Sequence, residues 1–185
     1  MSYYFIVGRG AGELEPDVMS MDADDGYGAL HKMHASTVYA TRNLTFDWLL
    51  RVDDDTFVVP SRVLSLLQDF EQDSLKSTLP KAEMIGSYWT PELNWGTGGA
   101  GLLFSRRVVE YQAARGIWPD CTDGDDGWAC ACAREAGAAY HWSARLKHHR
   151  HLDMWPAPTN DMITSHYATP DDMEVMQAAF DQWGK

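Results

Sequence analysis

Three consecutive carboxylates, Asp53, Asp54 and Asp55, are the residues whose type and spacing most directly suggest chemistry. They follow an apolar run beginning at Trp48 that is typical of a buried strand, and apolar residues resume at Phe57. Neighbouring carboxylates repel one another by roughly 1 kcal/mol per close pair even in bulk water. A divalent cation would offset that repulsion, and Asp53 and Asp55 could face one ion because alternate strand residues point to the same side. The segment therefore predicts a metal site at a strand end.

Two other interpretations of the acidic segment stay open. The first is a solvated acidic turn, which the strand-end position disfavours because open α/β sheets bind ligands beyond the carboxyl ends of their strands. The second is a metal-dependent phosphohydrolase of the haloacid-dehalogenase type, with Asp53 as its nucleophile. That class would favour Thr or Val at position 57, where this chain has Phe57.

A second pair of carboxylates, Asp125 and Asp126, comes just before a segment that we predict to be a helix ending near Gly137. A carboxylate in the first helical turn is stabilised in its ionised form by about 0.3–1 kcal/mol. The pair could act as an acid or base, or it could only cap the helix. His166, on a predicted strand from Met162 to Tyr167, is in the same way either a metal ligand or a core histidine.

A glycine-rich segment and an aromatic loop are candidates for substrate contact. Gly98 and Gly99 lie in the run from Gly96 to Gly101, and small residues let a backbone approach a ligand closely. The aromatic loop before it ends at Trp95, and aromatic faces near carboxylates suit the C–H groups of a sugar ring. Core packing is the competing interpretation for Trp95.

Length and charge limit the classes of protein that fit. A chain of 185 residues fits one domain, 1–185, with a core of its own. A net charge of −12 argues against a nucleic-acid partner, and an anionic substrate would need a local cation. We find no apolar run long enough to span a bilayer and no signal peptide, so the pattern predicts no transmembrane segment and leaves the compartment undecided.

The three cysteines, Cys121, Cys130 and Cys132, lie close together in the sequence. Their spacing does not fit an ordinary zinc site, and an odd number leaves at least one thiol without an intramolecular partner. A disulfide from Cys121 to one of the other two and a set of buried free thiols both stay open.

Hydrophobic periodicity and turn residues predict a chain of alternating strands and helices. Strands are expected at Tyr3–Val7, 48–52, Met84–Trp89 and Met162–Tyr167. Helices are expected from about Tyr27 to Thr41, from Pro60 to Phe70, from Val108 to Ala114, from Asp125 to Gly137, and from Pro170 to Trp183.

Five blocks, in order, resemble the fringe and β-1,3-galactosyltransferase family (glycosyltransferase family 31), nearest to its core 1 galactosyltransferase and fringe branches. Phe5–Gly8 is similar to the family's second strand, and Trp48–Val58 to its W-x-x-K-x-DDD-x-F-V motif. Gly96–Ser105 is similar to its GGAGxxxSR block, and Asp125 and Asp126 with Cys132 to its EDxxxGxC block. The last block, which is similar to FHY-x-x-P-E-D-M, comprises Ser165–Tyr167 and Pro170–Met173.

This resemblance implies an α/β fold of the GT-A type, a single nucleotide-diphospho-sugar transferase domain with a mixed central sheet. It implies inverting, metal-dependent transfer of a hexose, galactose first, from a UDP-sugar to a hydroxyl of a glycan or glycoprotein acceptor, most simply in a β-1,3 linkage. Mn²⁺, or Mg²⁺, would be the cofactor. By position, Asp53, Asp55 and His166 would hold the metal, Asp126 would be the general base with Asp125 beside it, and Asp54, Trp95, Gly98 and Gly99 would contact the donor or its sugar.

The chain also departs from the family pattern. It begins at the family's second strand, so the first strand–helix unit, which builds much of the uridine pocket, is not seen. Cys130 stands where the EDxxxGxC block has glycine, and Asp125 stands where it has Glu. A catalytically inactive relative that binds a nucleotide sugar or a glycan is therefore a further alternative. Family members usually reside in the Golgi lumen, which is where the resemblance would place this chain.

Overall fold

The computed structural model describes residues 5–7, 18–20, 30–74, 81–87, 96–118, 121, 124–147 and 161–183. Within them the chain forms nine strands and five helices. The strands are β1 (Phe5–Val7), β2 (Val18–Ser20), β3 (Trp48–Arg51), β4 (Phe57–Val58), β5 (Glu83–Gly86), β6 (Leu102–Ser105), β7 (Ala139–Trp142), β8 (Leu146–Lys147) and β9 (Thr164–Ser165). The helices are α1 (Leu30–Asn43), α2 (Pro60–Ser74), α3 (Arg106–Arg115), α4 (Gly124–Glu135) and α5 (Pro170–Trp183).

The main sheet has four strands in the order β3-β6-β5-β7. Strand β6 pairs antiparallel with both β3 and β5, whereas β5 pairs parallel with β7, so the sheet is mixed. A three-stranded sheet, β4-β9-β8, is also mixed, and β1 pairs parallel with β2. Because β3 and β4 flank the acidic residues, the segment Val52–Thr56 runs from the main sheet to the three-stranded sheet.

The main sheet carries a hydrophobic cluster on each face, and β6 contributes to both. Leu102 and Phe104 pack with α1, α3 and α4 around the fully buried Trp128. Leu103, between them in sequence, packs into a second cluster with residues of α2 such as Val63. This alternation follows from the two-residue period of a strand. All four β6 side chains are buried, as expected of a central strand.

Helix α5 covers a third cluster, in which Met176 packs with Phe57 from β4. A capping box fixes its start: the Thr169 amide donates to Asp172 Oδ2 at 2.9 Å, and the Asp172 amide donates to Thr169 Oγ1 at 3.3 Å. Reciprocal bonds of this kind satisfy backbone donors that have no partner inside a helix. The helix therefore anchors the segment that leads out of β9.

The α/β class and all five predicted helices are confirmed, and their bounds shift by a few residues. The expected long strand from Met162 to Tyr167 is wrong in length, since only Thr164–Ser165 pairs as a strand. Strands β2, β4, β6, β7 and β8 were not predicted. None of the described helices is long and apolar enough to cross a membrane.

Candidate functional site

The acidic residues lie in a turn and not on the strand itself. Strand β3 ends at Arg51, and the turn closes with a hydrogen bond from the Thr56 amide to the Asp53 carbonyl at 3.2 Å. Asp54 is exposed at its tip, whereas Asp53 and Asp55 are half-buried. The two carboxylates therefore share one side because of the turn, and not because of the strand period that the sequence suggested.

His166 lies directly after β9, and its ring faces both of these carboxylates. Its Nε2 is 3.3 Å from Asp53 Oδ2 and 3.2 Å from Asp55 Oδ1, and its amide donates to the Lys147 carbonyl at 3.0 Å. The antiparallel pairing of β4 with β9 brings this late residue to the acidic turn. The hydrogen bond with His166, helped by Arg51 and opposed by burial, holds the pKa of Asp53 below its ordinary value.

The ligand atoms of Asp53, Asp55 and His166 all lie within 4.8 Å of one another, a spacing that one metal ion can bridge. Two carboxylate oxygens and an imidazole nitrogen form a donor set that suits Mn²⁺. The side chains present therefore fit the divalent cation that the sequence led us to expect.

Tyr167 stacks on the His166 ring, with the two ring centroids 3.7 Å apart and the two ring planes inclined by 20°. Its backbone φ of 58° lies in the left-handed region, which costs a non-glycine residue roughly 1–2 kcal/mol. Tyr167 is 45% exposed, so the stack forms part of the surface beside the group of Asp53, Asp55 and His166. This backbone conformation turns the chain sharply after the histidine.

Arg51 joins the acidic turn to the first turn of α4. Its Nη2 lies 2.9 Å from Asp53 Oδ1 and also contacts Asp125 Oδ2, while its Nη1 lies 3.3 Å from Asp126 Oδ1. Burial is the largest influence on this guanidinium and lowers its pKa, but the summed attraction of Asp126, Asp125 and Asp53 raises the pKa above the ordinary value. Arg51 therefore stays charged among the carboxylates.

Asp126 is held on its other side by the backbone of the glycine-rich segment. Its Oδ2 accepts a hydrogen bond of 2.8 Å from the Gly98 amide. Burial raises the pKa of Asp126, and the attraction of Arg51 and the Gly98 hydrogen bond offset this only in part. A carboxylate whose pKa is raised, fixed by two partners, has the properties of a general base.

The glycine-rich segment needs its small residues because side chains occupy the space beside it. A Cβ at Gly98 would overlap Arg51 and Asp126, and a Cβ at Gly99 would overlap the His166 ring. The turn closes with a hydrogen bond of 2.8 Å from the Gly101 amide to the Gly98 carbonyl, with Gly101 at a φ of 107°. This packing requirement is independent of any substrate, so contact of Gly98 and Gly99 with a sugar stays a prediction.

The structure thus brings together the predicted residues Asp53, Asp55, His166, Asp125 and Asp126 with the backbone of the glycine-rich segment. Trp95 lies outside the described residues.

Sequence reasoning missed Arg51, although two signals were available: it ends an otherwise apolar strand two positions before the acidic run, and it stands where the W-x-x-K-x-DDD-x-F-V motif has lysine. Among the described residues, Cys121, Cys130 and Cys132 form no disulfide.

A comparison with models of protein families gives a match. A family model described as Fringe-like matches residues 26–125, which is more than half of the chain. The matched range includes Arg51, the acidic turn and the glycine-rich segment, and it ends at Asp125. No curated protein matches the chain.

Proposed function

The chain belongs to the Fringe-like family, a family of glycosyltransferases, and on that premise we propose that it is an inverting, metal-dependent hexosyltransferase. Its donor would be a UDP-sugar, UDP-galactose first among the candidates. Its acceptor would be a hydroxyl of a glycan or glycoprotein, with a β-1,3 linkage as the expected product. The observation that carries this proposal is the group formed by Asp53, Asp55 and His166.

In the proposed reaction these three side chains would hold Mn²⁺ or Mg²⁺, which would in turn bind the donor diphosphate. The bound cation would offset the negative charge that develops on the departing UDP. This matters here because the acidic turn and the first turn of α4 are rich in carboxylates, which repel a diphosphate in the absence of a cation. Asp54, exposed beside the group, and Trp95 are proposed to contact the donor sugar.

Asp126 is proposed to accept the proton of the acceptor hydroxyl. The hydroxyl oxygen forms a bond to the anomeric carbon as the bond from that carbon to the UDP oxygen breaks, and UDP departs with the electron pair. Attack from the face opposite UDP inverts the anomeric centre. Arg51 and the Gly98 amide orient the Asp126 carboxylate, which must come within about 2.6–3.2 Å of the hydroxyl oxygen.

Calorimetric titration of UDP into the protein, with and without Mn²⁺, tests the proposal. We expect UDP to bind only with the metal, and we expect Asp55→Ala to abolish that binding. Asp69→Ala, which removes an exposed carboxylate on α2, is the matched control and should bind as the wild type does.

Asp126→Asn separates turnover from binding. It should keep metal-dependent UDP binding and lose about 10²–10⁴-fold in transfer rate, the usual contribution of a general base. UDP binding without transfer by the wild type, over a screen of donors and acceptors, would instead favour an inactive relative. Absence of any UDP binding would contradict the proposed function.

A further inference from the structure

Arg51 connects the two parts of the proposed site, the acidic turn and the first turn of α4, through contacts of both Nη nitrogens. Nη2 reaches Asp53 in the acidic turn and Asp125 in α4, and Nη1 faces Asp126. The side chain is only 17% exposed, so the protein holds it in place and water does not replace its contacts easily. Arg51 and Asp125 are 74 positions apart in sequence, which shows that the contact is a product of the fold.

The geometry of a guanidinium suits this placement. Its nitrogens lie in one plane at fixed angles, so a carboxylate bound to one nitrogen has a defined direction from a carboxylate bound to another. Gly98 leaves the space that Arg51 and Asp126 fill, since a Cβ there would overlap both. The Gly98 amide then fixes the second oxygen of Asp126 at 2.8 Å.

We propose that Arg51 is a positioning residue for the transfer reaction: by contacting Asp53 and the Asp125–Asp126 pair together, it sets the position of the base relative to the metal-binding carboxylates. This inference rests on the proposed function. Arg51 is not a metal ligand, and its positive charge opposes a cation at Asp53. Metal binding and transfer rate should therefore respond differently when Arg51 is replaced.

The test compares Arg51→Gln and Arg51→Lys with the wild type in the full chain. Arg51→Gln should bind Mn²⁺ as tightly as the wild type or more tightly, with a KM for the donor within a few-fold. Its kcat should fall by about 10²-fold, the cost of a misplacement on the order of 1 Å. Arg51→Lys keeps the positive charge and should restore a large part of the lost kcat.

Arg115→Met is the matched control. Arg115 Nε forms an ion pair with Glu135 at 2.9 Å between exposed side chains of α3 and α4, outside the proposed site. This variant removes an arginine ion pair and should leave the Mn²⁺ affinity and kcat unchanged. Thermal unfolding of every variant shows whether a loss of kcat accompanies a loss of the fold.

The outcomes are distinct. An unchanged kcat in Arg51→Gln would overturn the positioning role, and so would a parallel loss of Mn²⁺ binding, kcat and thermal stability that Arg51→Lys does not restore. If Arg51→Gln does not fold, the double variant Arg51→Gln/Asp125→Asn replaces it, because it removes one carboxylate charge together with the guanidinium charge. The double variant must then lose kcat and keep its Mn²⁺ affinity. A wild type that binds neither Mn²⁺ nor UDP would contradict the proposed function itself, and the Arg51 proposal with it.

Discussion

Gly99 is one of the two glycines at which the site leaves no room for a side chain, and Gly98 is the other. The His166 ring occupies the space where a Cβ at Gly99 would lie, and the Gly99 backbone does not have a positive φ. Replacement by alanine would therefore act through the imidazole and not through the backbone conformation. Either the ring moves away from Asp53 and Asp55 or the chain around β9 shifts.

We predict that Gly99→Ala lowers the free energy of unfolding by about 1–3 kcal/mol, because overpacking forces neighbours from their positions. The Kd for Mn²⁺ should rise by about 10–100-fold, as is usual when a residue that orients a metal-binding side chain, here His166, is replaced. Calorimetry and chemical denaturation measure the two effects.

Gly116→Ala is the control for Gly99→Ala. A Cβ at Gly116 meets nothing within 4 Å, but its φ of 69° disfavours a side chain. This variant should lose about 1–2 kcal/mol of stability and keep its Mn²⁺ affinity. An equal change of affinity in both variants would show that His166 is not the group affected at Gly99.

For single residues, the sequence identified candidate site residues better than it identified their contacts. Asp53 and Asp55 were identifiable because adjacent carboxylates after an apolar run are costly without a partner. The contacts of Arg51 were not, because its partners Asp125 and Asp126 come from a distant helix. The packing of Gly99 against His166 is likewise a property of the assembled fold.

Among the structural elements, the glycine-rich segment is held by hydrogen bonds from residues in or next to the three-stranded sheet, which lie elsewhere in the sequence. Thr56, beside β4, donates its hydroxyl to the Gly99 carbonyl at 2.8 Å, and Thr164 of β9 donates to the Ala100 carbonyl. Both threonines are buried. The three-stranded sheet thus holds the glycine-rich segment in place, and its strand β9 also leads directly into His166.

We predict that Thr56→Val lowers the free energy of unfolding by about 1–3 kcal/mol, because it removes a donor from a buried carbonyl. Donor binding should weaken as the turn loosens. Thr41→Val is the matched control, since Thr41 donates to the carbonyls of Thr37 and Val38 in its own helix, and it should change stability by less than about 0.5 kcal/mol. Equal effects in chemical denaturation would contradict the role given to Thr56.

The helices were predictable because each carries a long apolar stripe and a start or stop signal, as with Pro60 at the start of α2. The short strands were not. Strand β8 has two residues and β7 has no buried residue, so neither shows the alternation that identifies a strand. These strands are defined by their pairing with β9 and β5, which a local pattern does not contain.

For the whole molecule, the reactivity of the two cysteines of α4, Cys130 and Cys132, depends on whether the hydrophobic core is folded. Cys130 and Cys132 are fully buried among the residues of the cluster around Trp128, and burial raises the pKa of each to about 12. At pH 8 roughly one thiol in ten thousand is then ionised, and the thiolate is the reactive form. Cys121 is partly exposed.

We predict that iodoacetamide at pH 8 modifies Cys121 in the native protein well before Cys130 and Cys132, which should react only as the core opens. Denatured protein should take up three labels, as the sequence contains three cysteines. Mass spectrometry of peptides measures the rates. Fast labelling of all three in native protein would contradict the burial of Cys130 and Cys132, and a denatured protein that accepts a single label would contradict the absence of a disulfide.

The pairing of Arg51 with Asp125 also has a consequence for the order in which the protein is made. Synthesis proceeds from the N-terminus at about 5–20 residues per second, so the 74 positions between these residues correspond to roughly 4–15 s. During that interval the nascent chain carries Asp53, Asp54 and Asp55 without α4, and His166 follows later still. The acidic turn must therefore stay hydrated while the chain elongates, and the proposed metal site is complete only after His166, which follows β9, has been translated.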